Sequence, residues 1–157
     1  EKPQTLKPIE FYSGGGGLYS TAADYMKFEQ AILAGGELGK QRILSSETVS
    51  EMGQNQIGHI FVQTQPDALP ERTKPFPIGA GKDKFGLGFQ IQAADPTLKQ
   101  FRSPGSLSWA GINNTHFWID PQRGIAAIVL MQLLPFYDDD AIKVLRDIEA
   151  IVYRHLR

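Results

Sequence analysis

Residues 105–132, GSLSWAGINNTHFWIDPQRGIAAIVLMQ, restrict the possible folds more than any other part of the chain. β-Branched and aromatic residues are frequent in them. Asp120-Pro121-Gln122-Arg123-Gly124 has the residues of a tight hairpin turn. Strands are expected at 106–111 and Thr115–Asp120, joined through a tight turn or bulge at Ile112-Asn113-Asn114. Residues 125–132 are almost continuously apolar, the pattern of a central strand buried on both faces, and Pro135 ends it. The chain must therefore supply elements that cover an antiparallel meander.

Two helices are expected upstream. Ser20 or Thr21 is placed to cap the first, and Thr21 with Asp24 has capping-box spacing. Tyr25, Phe28, Ile32 and Leu33 form its apolar face, and Gly35-Gly36 ends it in the left-handed region. Ser46 is expected to cap a second helix running to Met52, with Gly53 closing it. Downstream, Asp138-Asp139-Asp140 sits where a helix dipole favours anions. Ala141, Val144, Leu145, Ile148, Ile151 and Val152 form a stripe facing the sheet, with Arg154, His155 and Arg157 at the C-terminal end.

Between the upstream helices and the meander lies a long polar region broken by Pro66, Pro70, Pro75 and Pro77, a length of loop that often serves as a lid. His59 within it reads as structural or exposed. Residues 85–92 alternate with period two, placing Phe85, Leu87, Phe89 and Ile91 on the core face of one strand and Gly86 and Gly88 opposite. Phe101 is placed to begin a short strand before Pro104-Gly105.

The class is α+β, as a single domain or a fragment. Residues 1–19 are a leading linker and glycine-rich turn, 20–53 a helical part, 54–84 a long loop, 85–134 antiparallel strands and 138–157 a C-terminal helix. The absence of a leading methionine or signal segment suggests a piece of a longer chain.

Composition removes several function classes. A net charge of -1 offers no basic footprint for nucleic acid, and no apolar run approaches the roughly 20 residues of a membrane-spanning helix. There is no cysteine, so thiolate catalysis and thiol metal sites are excluded. His59, His116 and His155 are scattered without carboxylates at ligand spacing, and neither a metal nor a cofactor is expected. The four glycines at 14–17 lack the Lys-Ser or Lys-Thr of a phosphate loop. Asn113-Asn114-Thr115 is formally a glycosylation sequon, but it reads as a connection between core strands.

Four stretches in order, SGGGGLYSTAADYMKFEQAILAGGEL, RILSSETVSEM, FGLGFQI and SWAGINNTHFWIDPQRGIAAIVLMQ, resemble the C-terminal half of serine β-lactamase-like hydrolases. The class C-like group, with its penicillin-binding-protein-like esterases, is the nearest in pattern. The resemblance implies a sheet flanked by helices. It also implies a site assembled from Ser-x-x-Lys, Tyr-x-Asn or Tyr-x-Ser, and a third element of the Lys-Thr-Gly type. Trp109-Ala110-Gly111 is similar to the Trp-x-Gly form of that third element, carried on an edge strand.

On this resemblance the Ile112 N–H would be one oxyanion donor. Trp109 stands where a cation would meet a carboxylate, which favours ester or amide substrates over carboxylate-bearing β-lactams. Neither Ser-x-x-Lys nor Tyr-x-Asn or Tyr-x-Ser occurs in the chain. The chain alone is therefore expected not to form an acyl-enzyme, and to contribute a wall of the site and a covering loop at 54–84.

The expected partners are a small ester, amide or β-lactam in the complete protein, and either the missing N-terminal half or a second copy. Neither nucleic acid nor a membrane segment is expected. The residues leave the compartment open, while the resemblance points to a periplasmic or secreted one. Two other readings stand beside this one: a non-catalytic interaction module derived from the same fold, and a ligand binder using Gly86 and Gly88.

Overall fold

The structure, a computed structural model, describes residues 18–67, 69–97 and 100–155. The expected leading linker and glycine turn up to residue 17 lie outside the described residues. Helix α1 spans Ala22–Leu33, and its N-cap is Thr21. The Thr21 hydroxyl accepts the Asp24 N–H at 3.2 Å and donates to the Asp24 carboxylate at 3.1 Å, so the two residues close the first turn. At the other end Gly36 N–H donates to Ala31 O at 2.7 Å and Gly35 N–H to Ile32 O at 3.1 Å. These are the two bonds of a Schellman stop, which needs the positive φ of Gly35, while a Cβ on Gly36 would fall 2.2 Å from the Leu44 carbonyl oxygen.

A two-residue hairpin, β1 (Glu37–Leu38) with β2 (Gln41–Arg42), leads to α2 (Ser46–Met52). The cap of α2 is Ser45 rather than Ser46, because the Ser45 hydroxyl accepts the Thr48 N–H at 3.1 Å. Ser46 is the first helical residue.

The main sheet is antiparallel throughout, in the order β3 (Lys84–Phe85), β4 (Gln90–Ile91), β5 (Leu107–Gly111), β6 (Thr115–Asp120), β7 (Ile125–Val129). Two expectations need correction. Residues 85–92 are not one strand but a hairpin, with Lys84 opposite Ile91 and Phe85 opposite Gln90. The turn is closed by Gly86 N–H to Phe89 O at 2.8 Å and uses Gly88 at φ 90°. Leu87 therefore sits exposed on the turn, not on a core face. Second, among the described residues β7 lies at the end of the strand order, not in its centre. It reads as apolar because helices cover both its faces. Phe101 lies in a bend and begins no strand.

Each face of the sheet has its own core. On one, Ile32 of α1 packs with Phe89, Leu107 and Ile119, flanked by Phe28, Val49, Met52 and Phe117. On the other, Trp118 and Val129 pack against Ile142 and Leu145 of α3 (Asp139–Arg154). Trp118 and Ile119 are adjacent in β6 and both fully buried, on opposite sides of the pleat. Burial of each such side chain contributes about 1.5–3 kcal/mol. The buried stripe of α3 runs through Ala141, Ile142, Leu145 and Ala150, leaving Val144 and Ile151 of the expected stripe exposed.

The acidic triplet caps α3: Asp138 accepts the N–H groups of Asp140 and Ala141. Lys74 reaches Asp139 at 2.9 Å. Lys74 belongs to the long connection between α2 and β3, whose backbone forms isolated bridges from Gln65 to Phe76 and from Thr73 to Phe136. Phe76 packs on Phe136 and Tyr137, both at 5.3 Å between centroids, which holds this connection to the α3 side.

Candidate functional site

The register of β4 decides where the sheet is open. Gln90 pairs with Ser108 and Ile91 with Leu107, and β4 contributes no further pair. Trp109, Ala110 and Gly111 thus have β6 on one flank, opposite Phe117, His116 and Thr115, and among the described residues no strand on the other. Strand β5 is interior in the strand order, yet its last three residues present an edge. The cause is the hairpin at Gly86–Phe89, which turns the chain away where a longer strand would have continued.

Trp109 is held by Phe85, whose ring meets the indole edge to face at 5.0 Å between centroids. Gly111 leaves room for a neighbour. A Cβ there would fall 2.4 Å from the Thr115 Oγ1. Ile112 follows in an exposed turn, and its N–H makes no hydrogen bond among the described residues.

The turn is fixed by Asn114. This residue is fully buried at φ 56°. Its Nδ2 donates to Leu133 O at 3.0 Å and Pro135 O at 2.8 Å, and its Oδ1 accepts the Tyr137 N–H at 2.8 Å. Sequence reasoning placed Asn114 in a turn but gave it no task. Its tolerance of positive φ was the available signal.

Trp109, Gly111, Thr115 and Phe117 form one wall of a cavity of about 470 Å³. Ile128, Leu130 and Gln132 continue it, and Thr21 and Tyr25 at the start of α1 close the opposite side. Tyr25 packs on Phe117 at 5.5 Å between centroids, and burial raises its hydroxyl pKa. Among the described residues the lining holds no Asp, Glu, Lys or Arg. His116 also borders the cavity, but the pleat sends its ring to the opposite face, where it stacks on Phe136 at 6.1 Å. Burial, with a smaller push from Arg102, lowers the His116 pKa to about 4, so the imidazole is neutral near pH 7.

Of the expected site residues, the structure brings Trp109, Ala110 and Gly111 together on the cavity wall, with Ile112 immediately beyond. None of the described residues of the 54–84 loop lines this cavity. They are fastened elsewhere: Lys84 Nζ donates to Gly58 O and Ile60 O, Val62 N–H to Asp83 O, and Lys74 N–H to Phe136 O. Gly86 leaves no ligand face, and Gly88 lies in the turn of the hairpin. A Cβ on Gly86 would fall 2.0 Å from the Met52 carbonyl oxygen, so that space is already filled by backbone.

Residues 1–150 match the beta-lactamase family model, and the chain belongs to that family. An uncharacterized protein of Mycobacterium tuberculosis is 30% identical over 147 residues, 88% of this chain and 33% of that protein. The monacolin J acid methylbutanoyltransferase of Aspergillus terreus is 29% identical over 145 residues, 89% of this chain and 34% of the enzyme. Among solved structures, a simvastatin synthase variant from Aspergillus terreus superimposes with a TM-score of 0.64 at 26% identity, covering 84% of this chain and 32% of that one. A beta-lactamase from Mycobacterium bovis shares the fold with a TM-score of 0.59 at 20% identity, over 87% of this chain and 44% of that one. The chain thus spans about a third of the length of these curated relatives. Its fold is the α+β arrangement of a hydrolase and acyl-transfer family. No helix of the described residues is long and apolar enough to cross a membrane.

Proposed function

We propose that this chain is the C-terminal part of a serine hydrolase or acyltransferase that works through an acyl-enzyme. Trp109-Ala110-Gly111 serves as the third motif of the site, and the nucleophile and its base lie outside this chain. The observation that carries the reading is the open flank of β5 at Trp109–Gly111, beside an uncharged cavity. An acyl group can lie along such an edge with its carbonyl oxygen directed to the Ile112 N–H, a donor with no partner among the described residues. Absence of a cation from the lining favours neutral esters, thioesters or amides over carboxylate-bearing β-lactams.

The missing portion supplies the serine whose Oγ attacks the carbonyl carbon, and the base that takes its proton. The edge of β7 that no described residue pairs, together with the apolar cavity, is the surface that portion would complete. The test compares this chain alone with the polypeptide extended to the length of its relatives, using nitrocefin and a p-nitrophenyl ester. Turnover is expected only in the extended protein, with the ester preferred. Serine-inhibitor-sensitive turnover by the short chain would refute the assignment.

That β7 edge, unpaired among the described residues, also favours a second reading, a non-catalytic module that pairs with another chain. Light scattering separates the two. A concentration-dependent dimer broken by proline at Ala127 supports the module, whereas a monomer opposes it.

A further inference from the structure

Glu29 has no counterpart in the site just described. Among the described residues it is the only fully buried acid whose two carboxyl oxygens lack any hydrogen-bond partner. It lies on the sheet-facing stripe of α1, one turn after Tyr25 and one before Ile32, and α1 packs across β6 and β7.

Among the described residues no charge near it compensates. β7 carries no titratable residue, and the α1-facing residues of β6 are Thr115, Phe117 and Ile119. From β1, Glu37 is engaged with Arg42, and on α1 itself Lys27 is exposed and paired with Asp24. The remaining titratable neighbour is Tyr25, whose hydroxyl makes no hydrogen bond to the Glu29 carboxyl and whose own ionisation a charged Glu29 would disfavour.

We propose that Glu29 is a proton-dependent latch: as the neutral acid it lets α1 lie on the sheet, and loss of its proton to solvent loosens α1 and opens the cavity wall formed by Thr21 and Tyr25. An unpaired carboxylate cannot remain in this position, because burying an isolated charge costs more than the helix contacts around it return. The protein therefore has two ways to respond to rising pH, retaining the proton or moving the helix. Burial, the sole cause of the shift, raises the Glu29 pKa to about 8. Docking of α1 is thus complete at acidic pH and weakens progressively as pH rises from the ordinary carboxylate range towards about 8. Near neutral pH the latch is mostly closed, and mild alkalinity releases it.

That the released wall borders a substrate rests on the proposed site, but the movement of α1 does not. It is therefore measured without an activity assay. Amide hydrogen exchange of the full chain, corrected for intrinsic rates, is followed from about pH 6 to about pH 9.5 in wild type and in Glu29→Gln. Protection over Ala22–Leu33 is expected to fall about tenfold more than protection over Thr115–Asp120 in wild type, and equally for both elements in the variant. An α1 response of the same size in both proteins overturns the proposal. Should Glu29→Gln fail to fold, a carbon-13 titration of labelled glutamate in wild type decides. A Glu29 carboxyl midpoint near 8, accompanied by movement of the Tyr25 ring signals, supports the latch. A midpoint in the ordinary carboxylate range refutes it.

Discussion

The carboxamide oxygen of Asn114 accepts the backbone N–H of Tyr137 at 2.8 Å, and these two are the only non-glycine residues of the described chain with positive φ. Each holds the other in a conformation that L residues adopt at a cost. The bond ties the turn carrying Ile112 to the segment that pins the long loop. Asn114→Ala removes this bond and both donations to Leu133 O and Pro135 O, and leaves alanine at φ 56°. The expected loss is about 3 kcal/mol in urea unfolding. Asn114→Gly relieves the strain alone and should recover about 1 kcal/mol of it. Equal losses for the two variants would show that strain plays no part.

Two buried groups give stability a maximum in mildly acidic solution. His116 has a folded pKa of about 4, below its ordinary 6.5. Below 6.5 the unfolded chain takes up a proton that the native chain resists, so stability falls as pH drops from there towards about 4. Glu29 works in the opposite sense. Its raised pKa means the native chain retains a proton that the unfolded chain releases, so stability falls as pH rises from 4.5 to about 8. Between pH 4.5 and 6.5 the two slopes oppose each other, so urea midpoints should run level there and drop on either side. His116→Phe should turn the level stretch into a continuous decline with rising pH, and a profile unchanged by that substitution would count against a neutral buried imidazole.

The β6–β7 hairpin was legible because its alternation and its turn residues act locally. What the sequence hid was set at a distance. Residues 85–92 satisfy a period of two as well as any strand, yet Gly86 abuts the Met52 carbonyl and Gly88 turns the chain back. Strand β7 has the composition of a central strand because α1 and α3 cover its faces, although among the described residues it has a strand on one side only. Trp109-Ala110-Gly111 could be picked out by resemblance, but its openness follows from where β4 stops, which no local pattern in 109–111 encodes. Glu29 falls within the arc of the predicted apolar face of α1 and was passed over because it is an acid.

Arg102 joins the approach to β5 to α3. Its Nε donates to Glu149 Oε1 at 2.8 Å, and its guanidinium lies 4.6 Å from the centroid of the Trp118 ring. Both charged side chains are mostly buried, so removing one leaves the other uncompensated. Arg102→Ala is expected to cost about 2–4 kcal/mol. Arg102→Lys should recover less than half of that, since an ammonium cannot both stack and pair in this plane. A double-mutant cycle with Glu149→Gln checks the coupling, and independent, additive losses would mean that the pair is incidental.

Gly111 separates a structural need for glycine from a functional one. A Cβ there meets only the Thr115 side chain, at 2.4 Å from Oγ1 and 3.8 Å from Cβ. The clash is with the end of a side chain rather than with backbone. Gly111→Ala should therefore cost about 1–2 kcal/mol through overpacking. Combining it with Thr115→Ala should restore most of that loss, because the second change removes the obstructing hydroxyl. In the extended protein the same pair has a second readout. If an acyl group lies against Gly111, the double variant regains stability, but its ester turnover stays well below that of Thr115→Ala alone. Recovery of both together would mean that glycine is present only to make room for Thr115, and the assigned wall of the site would have to be placed elsewhere.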